Sequence, residues 1–316
     1  MDIMTTVNGN EHVKHGLVPM KNSKLLQLKV DHLYHIALDT EQHDLQTMFG
    51  DVKFVCFGGQ VSRMERFTSF VIQELGLQPG TGDTPTNYAA GTDRYALYKA
   101  GPVLAVSHGI GIPSLSVVFN EILKLVHYAK CTDVTFFRIG TCGGVGLEPG
   151  TVVLTEKAVD GAFQPFLSTT ILGKKVQRPA YVEKPLLEEL LSCSEITDDF
   201  KTVTGTTMCT DDFYEGQARL DGAFCDYDED DKMKFLNNVK AKGVCNIEME
   251  SLGFLAMCNH AGVPGAVACV TLLDRLKGDF VSTDFSLLKS WQHRAQKLVL
   301  RFIKRRITQQ NRHKNG

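Results

Sequence analysis

The stretch Val134-Thr135-Phe136-Phe137-Arg138-Ile139, followed at once by Gly140-Thr141-Cys142-Gly143-Gly144, decides the reading of this chain. Aromatic and β-branched residues crowded into six positions predict a buried strand, and the glycine cluster predicts a turn at its end. Arg138 sits in that apolar run, where a lasting positive charge needs an anionic partner. Working outward, the same grammar recurs. Val52–Phe57 reads as a strand ending in Gly58-Gly59, and Val61–Leu75 as a helix that stops at Gly76. Arg94–Lys99 and Val103–Ser107 read as paired strands around Gly101-Pro102. Ser107-His108-Gly109-Ile110-Gly111 then leads into a helix opened by Pro113, whose apolar face carries Leu115, Val118, Ile122 and Leu125.

Further along, Thr151–Thr155 is a strand, the region 161–185 an irregular segment or hairpin, and Pro185–Ser194 a helix. The acidic run Asp226–Asp231 caps a helix at Lys232–Lys242, and Glu250–His260 continues helical. Ala266–Leu272 is a buried strand and Ser286–Ile307 a long final helix. Strands alternating with helices predict one α/β domain: a mixed, mostly parallel twisted sheet flanked by helices on both faces. The expected boundaries are a flexible leader over 1–30, the domain over 31–307 and a basic tail over 308–316.

Composition removes several function classes. The chain has 316 residues and a formal charge of -2, from 34 Lys and Arg against 36 Asp and Glu. That balance argues against nucleic-acid binding, although residues 301–316 hold six Lys and Arg and no acid. The basic end reads as a solvated helix terminus, where cations are favoured. The longest apolar stretch, Ala266 to Leu273, is far short of the roughly 20 residues that cross a bilayer. Nine cysteines, none closer than eleven positions, support neither a zinc ribbon nor a disulfide framework. The expectation is a cytoplasmic protein without metal; His32 and His35 stand close together, but nothing beside them completes a metal site.

Gly58-Gly59, Gly109-Ile110-Gly111 and Gly140 to Gly144 put backbone amides at strand ends, where α/β sheets bind ligands. Arg63 follows the first cluster and Arg138 precedes the third; with Arg94 they are candidate phosphate ligands, since a guanidinium binds phosphate bidentately. On their own, three structural salt bridges explain them as well. The sequence has no dinucleotide fingerprint, no phosphate-binding P-loop and no nucleophile elbow.

The motifs Gly50-Asp51-Val52-Lys53-Phe54-Val55-Cys56, Gly91-Thr92-Asp93-Arg94-Tyr95, Arg138-Ile139-Gly140-Thr141, the run Asp212 to Gly222 (DFYEGQARLDG) and Asn246-Ile247-Glu248-Met249-Glu250-Ser251 closely resemble those of uridine phosphorylases. The likeness is to the dimeric eukaryotic branch of the nucleoside phosphorylase-I family and runs from about Leu33 to Arg306. It implies the nucleoside phosphorylase/hydrolase-like fold and reversible phosphorolysis of uridine to uracil and ribose 1-phosphate in pyrimidine salvage. Inorganic phosphate is then a co-substrate, with no organic cofactor. The resemblance also implies a homodimer that donates His35 and Arg94 across its interface. It implies phosphate binding by Gly59, Arg63, Arg94, Arg138 and Thr141. Ribose would meet His35, Thr141, Met249 and Glu250, and the base Gly143, Phe213, Gln217 and Arg219. Arg138, Gln217 and Arg219 would carry the catalytic weight.

Those residue types suit the chemistry. Breaking an N-glycosidic bond passes a cationic sugar between two anions, and phosphate itself is the nucleophile, so no Ser or Cys is required. A glutamine matches an imide N–H and its neighbouring carbonyl, while an arginine meets the charge growing on the leaving base. Gln217 and Arg219, two apart, are expected to point the same way from an extended strand or tight loop. Three departures from the family pattern stand out: Gln60-Val61 after Gly59, Cys142, and Ala218 between the base-reading pair. Cys142 is either a packing residue or a reactive thiol near Arg138. Ala218 is strained if its backbone is left-handed. The rival readings are a purine nucleoside phosphorylase, with Asp274 as its acid, and a catalytically silent nucleoside-binding paralogue.

Overall fold

A computed structural model describes residues 16–78 and 84–314. Eight strands form the main sheet: β1 (Phe54–Gly58), β2 (Leu97–Ala100), β3 (Val103–Ser107), β4 (Thr135–Gly144), β5 (Val152–Val159), β6 (Thr202–Cys209), β7 (Val244–Glu248) and β8 (Gly265–Asp274). Their order is β7-β6-β5-β8-β4-β1-β3-β2, and β7 also pairs with β4. Strands β4 to β8 thus close into a five-stranded ring from which β1, β3 and β2 extend. Five of the pairings are parallel, and β5–β8, β2–β3 and β4–β7 are antiparallel. The expected mixed, mostly parallel sheet is what the chain builds.

Alternation along the first strand sets the layers. Phe54 and Cys56 face the cluster that holds Phe302, Phe137 and Met64, under helices α2 (Val61–Glu74), α4 (Lys184–Leu191) and α7 (Phe285–Lys314). Val55 and Phe57 face the opposite cluster under α1 (Leu45–Phe49), α3 (Gly111–Tyr128) and α6 (Ser251–Ala261). There Phe57, Phe119, Phe136 and Phe254 pack ring to ring, with centroids 5.4–6.0 Å apart. Each such buried ring contributes roughly 1.5–3 kcal/mol of transfer free energy. A third cluster, including Leu236, Val239 and Ile247, lies beneath α5 (Glu229–Ala241).

Some expectations need correction. Gly140 to Gly144 is not a turn: β4 runs through it to Gly144 and pairs with β8 throughout. Glycine is required at Gly140 for room, because a Cβ there would lie 2.5 Å from Arg138 Nη1 and 3.0 Å from Cys269 Sγ. Strands β6 and β7 have no counterpart in the sequence reading. The region 161–185 contains a hairpin, Phe166–Ile171 with Lys174–Pro179. Of the expected leader, residues 1–15 lie outside the described residues, and Gly16 to Val18 pair with Cys131 to Asp133. Helix α7 continues through the expected tail to Lys314. Among the described residues, no helix is long and apolar enough to cross a membrane.

Candidate active site

The carboxyl ends of β1, β3, β4 and β7 and the loop after β6 surround a cleft of about 370 Å³. It is lined by Gly59, Arg63, Arg138, Thr141, Gly143, Phe213, Gln217, Arg219, Met249 and Glu250, ten of the twelve residues expected at the site. The sheet brings these positions together: Gly59 and Met249 follow strand ends, Arg138 to Gly143 lie within β4, Arg63 stands in the first turn of α2, and the loop after β6 carries Phe213 to Arg219. His35 and Arg94 are exposed and lie outside this lining. His35 is held by Glu121 of α3, whose carboxylate accepts from its backbone N–H at 2.9 Å and pairs with Nδ1 at 2.7 Å.

Arg138 is the electrostatic centre. Nη2 pairs with Glu248 at 2.8 Å and also with Glu250, while Nη1 donates to Cys269 Sγ at 3.0 Å. Burial works against its charge, but Glu248 and Glu250 more than offset it, so the guanidinium stays firmly charged. Glu248 accepts from the amides of Glu250 and Ser251, which locks it at the start of α6. Burial pushes the Glu248 carboxyl up. At Glu250 burial acts the same way, but Arg138, His108 and the Gly111 amide prevail and hold it below its usual range. Glu250 Oε1 accepts from Gly111 N at 2.6 Å, tying the expected ribose ligand to the helix start of α3.

Several nitrogens on this wall have no protein partner: Arg63 Nε, Arg138 Nε, and both ring nitrogens of His108. Unpaired buried polar groups cost roughly 1–3 kcal/mol each, so a cluster of them marks a place kept for a polar ligand. Burial and the neighbouring Arg138 bring Arg63 down to about 10, which leaves it charged at neutral pH. Same-sign guanidiniums this close favour an anion between them.

The half of the cleft expected to read the base is built on a tight loop. Glu215–Gln217 forms a single 3-10 turn, and Ala218 follows with φ +52°. Gln217 Nε2 donates to Thr210 Oγ1 at 3.1 Å, and Arg275 donates to the Gln217 carbonyl at 2.7 Å. Arg219 grips Asp221 in a fork at 2.9 and 2.7 Å, and its guanidinium lies 4.5 Å from the centre of the Phe213 ring. Arg219 therefore covers one face of Phe213. Arg275, fully buried, is fixed by Asp279 at 3.0 Å. Asp274 is outside the lining; it accepts from the Gly146 and Leu276 amides.

The strain anticipated at Ala218 is present. A left-handed alanine costs roughly 1–2 kcal/mol, part of which glycine would return as unfolded-state entropy. Ala218→Gly should therefore stabilise the fold by about 0.5–1 kcal/mol, a rise of about 1–2 °C in Tm by calorimetry. A lower Tm would mean that the methyl group packs more usefully than its backbone suffers.

Cys142 is buried on the cleft wall, and burial pushes its thiol well above the ordinary range. The sulfur that touches Arg138 is Cys269. Its thiol is lowered by the hydrogen bond from Cys142 and by Arg138. The reactive-thiol alternative for Cys142 is thus not supported, and its hydrogen goes to Cys269. Sequence reasoning missed Glu248, Cys269, Arg275 and Asp279, and assigned no role to His108. Glu248 was in view, inside the Ile247-Glu248-Met249-Glu250 motif.

Two groups of polar side chains thus share one cleft on an α/β sheet, Arg63 and Arg138 on one wall and Gln217 and Arg219 on the other. Residues 61–305 match the model of the phosphorylase superfamily. The chain is 50% identical to uridine phosphorylase 1 of Mus musculus, over 94% of this chain and 95% of that protein. A uridine phosphorylase structure from the oomycete Phytophthora capsici superposes with a TM-score of 0.89 at 38% identity, covering 93% of this chain and 99% of that one. Inactive uridine phosphorylase B of Schistosoma mansoni is 36% identical, over 91% of this chain and 96% of that protein. The chain belongs to the phosphorylase superfamily and, within it, to the uridine phosphorylases.

Proposed function

We propose that the protein catalyses reversible phosphorolysis of uridine to uracil and ribose 1-phosphate, in pyrimidine salvage. The observation that carries this is one cleft in which Arg63 and Arg138 meet Gln217 and Arg219. Phosphate binds between the two arginines, with Thr141 and the Gly59 backbone, and attacks C1′ from beneath the ribose. Met249 and Glu250 hold the sugar. Gln217 reads the imide edge, and Arg219 stabilises the base as it leaves with negative charge. Inorganic phosphate is the only co-reactant; no cofactor takes part.

In this proposal the working unit is a cytoplasmic homodimer. His35 and Arg94 are exposed and lie outside the lining of their own chain's cleft, which suits residues that serve a neighbour's site. Ile110 and Phe280, 75% and 78% exposed at the cleft mouth, offer apolar area for that contact. A purine reading loses its acid, since Asp274 is spent on backbone amides outside the cleft.

The test is the absorbance loss of uridine with and without phosphate, beside inosine. Phosphate-dependent loss of uridine alone is expected. No loss would put the chain with the silent members of its family, and a preference for inosine would overturn the base assignment. In the same assay, inactive Arg94→Ala and Arg138→Ala chains, mixed and re-dimerised, should regain activity, because each heterodimer keeps an intact site. Proven subunit exchange without recovery would show that both arginines act within one chain.

A further inference from the structure

His108 follows β3 and is 1% exposed, yet neither ring nitrogen has a partner. Its backbone is fixed on both sides: the N–H donates to Gly58 O at 2.8 Å, and the carbonyl accepts from Ser114 Oγ at 2.7 Å. The ring is aimed into the cleft, with Cε1, the atom between the two nitrogens, 3.9 Å from where a Gly59 Cβ would lie. Both nitrogens therefore flank the wall formed by the Gly59 turn, Arg63 and Arg138. Burial and the positive charge of Arg138 push the imidazole down to about 3, so it is neutral at working pH.

A neutral imidazole offers this wall a buried acceptor that no protein group occupies. Arg63 and Arg138 can only donate, and Glu250, held by Arg138 and Gly111 N, faces the ribose in the phosphorolysis reading. Hydrogen phosphate, unlike sulfate, carries a hydrogen of its own that needs an acceptor. Building on the phosphorolysis reading, we infer that His108 is a direct ligand of the co-substrate, one ring nitrogen accepting the P–OH hydrogen of hydrogen phosphate. The residue thereby selects a protonated oxyanion over an unprotonated one of the same charge and shape.

The experiment is titration calorimetry with inorganic phosphate and with sulfate, without nucleoside, on wild type, His108→Leu and His108→Gln. Wild type should bind phosphate more tightly than sulfate. His108→Leu should weaken phosphate about 10-fold or more, as a site does when it leaves a polar group unpaired, and sulfate by less than about threefold. His108→Gln, which keeps an acceptor, should recover much of the preference. In wild type labelled with ¹⁵N histidine, phosphate should move one acceptor-type ring resonance and sulfate should leave it in place; this needs no variant to fold. Equal binding of the two anions by wild type, or equal weakening of both in His108→Leu, overturns the inference. A protein that shows the His108-dependent preference but leaves uridine intact refutes the activity alone. One that cleaves uridine while His108→Leu binds phosphate normally refutes the role of His108 alone.

Discussion

Arg138→Met should lose uridine phosphorolysis by about 10³-fold and, unusually for an active-site change, should also weaken the fold. The catalytic loss follows from removing a preorganised cation that meets the nucleophile, which typically costs 10²–10³-fold or more. The loss of stability follows from its partners. Glu248 and Glu250 are both buried and both rest on Nη2. Breaking a buried pair by removing one side costs roughly 3–5 kcal/mol. Without Arg138, burial and mutual repulsion raise both carboxyls above their unfolded value of about 4.3. A folded-state pKa raised above the unfolded one gives stability that is full at low pH and lost as pH rises through the shifted range. The variant should therefore melt at a higher temperature at pH 5.5 than at pH 7.5. Adding Glu248→Gln should restore much of the stability and none of the activity. Wild-type turnover in a folded Arg138→Met protein would remove Arg138 from the site, and an unchanged melting profile would deny its pairing with the two acids.

The second large effect is expected at Gln217. Gln217→Leu keeps bulk but removes the donor and acceptor that face the base, so kcat/KM for uridine should fall by roughly 10²-fold or more. The bond from Gln217 Nε2 to Thr210 goes with the side chain, but Arg275 still donates to the Gln217 backbone carbonyl and Thr210 to the Asp212 carbonyl, so the loop keeps its backbone anchors. The loss should accordingly fall mainly on substrate, with a drop in melting temperature no larger than one buried hydrogen bond explains. Inosine should stay a poor substrate in both proteins, since the change creates no acid in the cleft. Unimpaired cleavage of uridine by Gln217→Leu, or a wild type that prefers inosine, would end the uridine assignment.

The sheet and most helices were legible because their signals are local. Phe54-Val55-Cys56-Phe57 shows its two faces by alternation, and the apolar face of α3 was read from Leu115, Val118, Ile122 and Leu125. The missed strands hide their burial. In β6, Thr202 to Thr207 is mostly hydroxyl-bearing, yet Thr207 is buried and satisfied by Thr155 and Asn246 from neighbouring strands. Gly205 interrupts it because Cys245 occupies the space above; a Cβ would lie 2.4 Å from Sγ. Such compensation is long-range, and no window of sequence reveals it. The third glycine cluster misled for a related reason. Its glycines make room within a strand, for Arg138 and Cys269 at Gly140, for Arg275 at Gly143 and for Thr271 at Gly144, and such room is a property of the packed neighbours. Of the residues that line the cleft, those within recognisable motifs were legible in the sequence. Arg275 and Asp279, which brace the base loop from the far end of β8, were not, since only the fold places them there.

The pairing of β7 with β4, Asn246 with Gly144 and Ile247 with Gly143, joins segments about a hundred residues apart in the chain. Contacts between such distant segments form slowly, because the intervening chain must surrender its freedom before they reward it. Arg138 stands on one side of that seam and Glu248 on the other. The pairing that holds the guanidinium therefore waits on the chain segment that closes the ring. A nascent chain that has not yet supplied β7 presents Arg138 without its restraining carboxylates, and has no assembled cleft however complete its earlier helices.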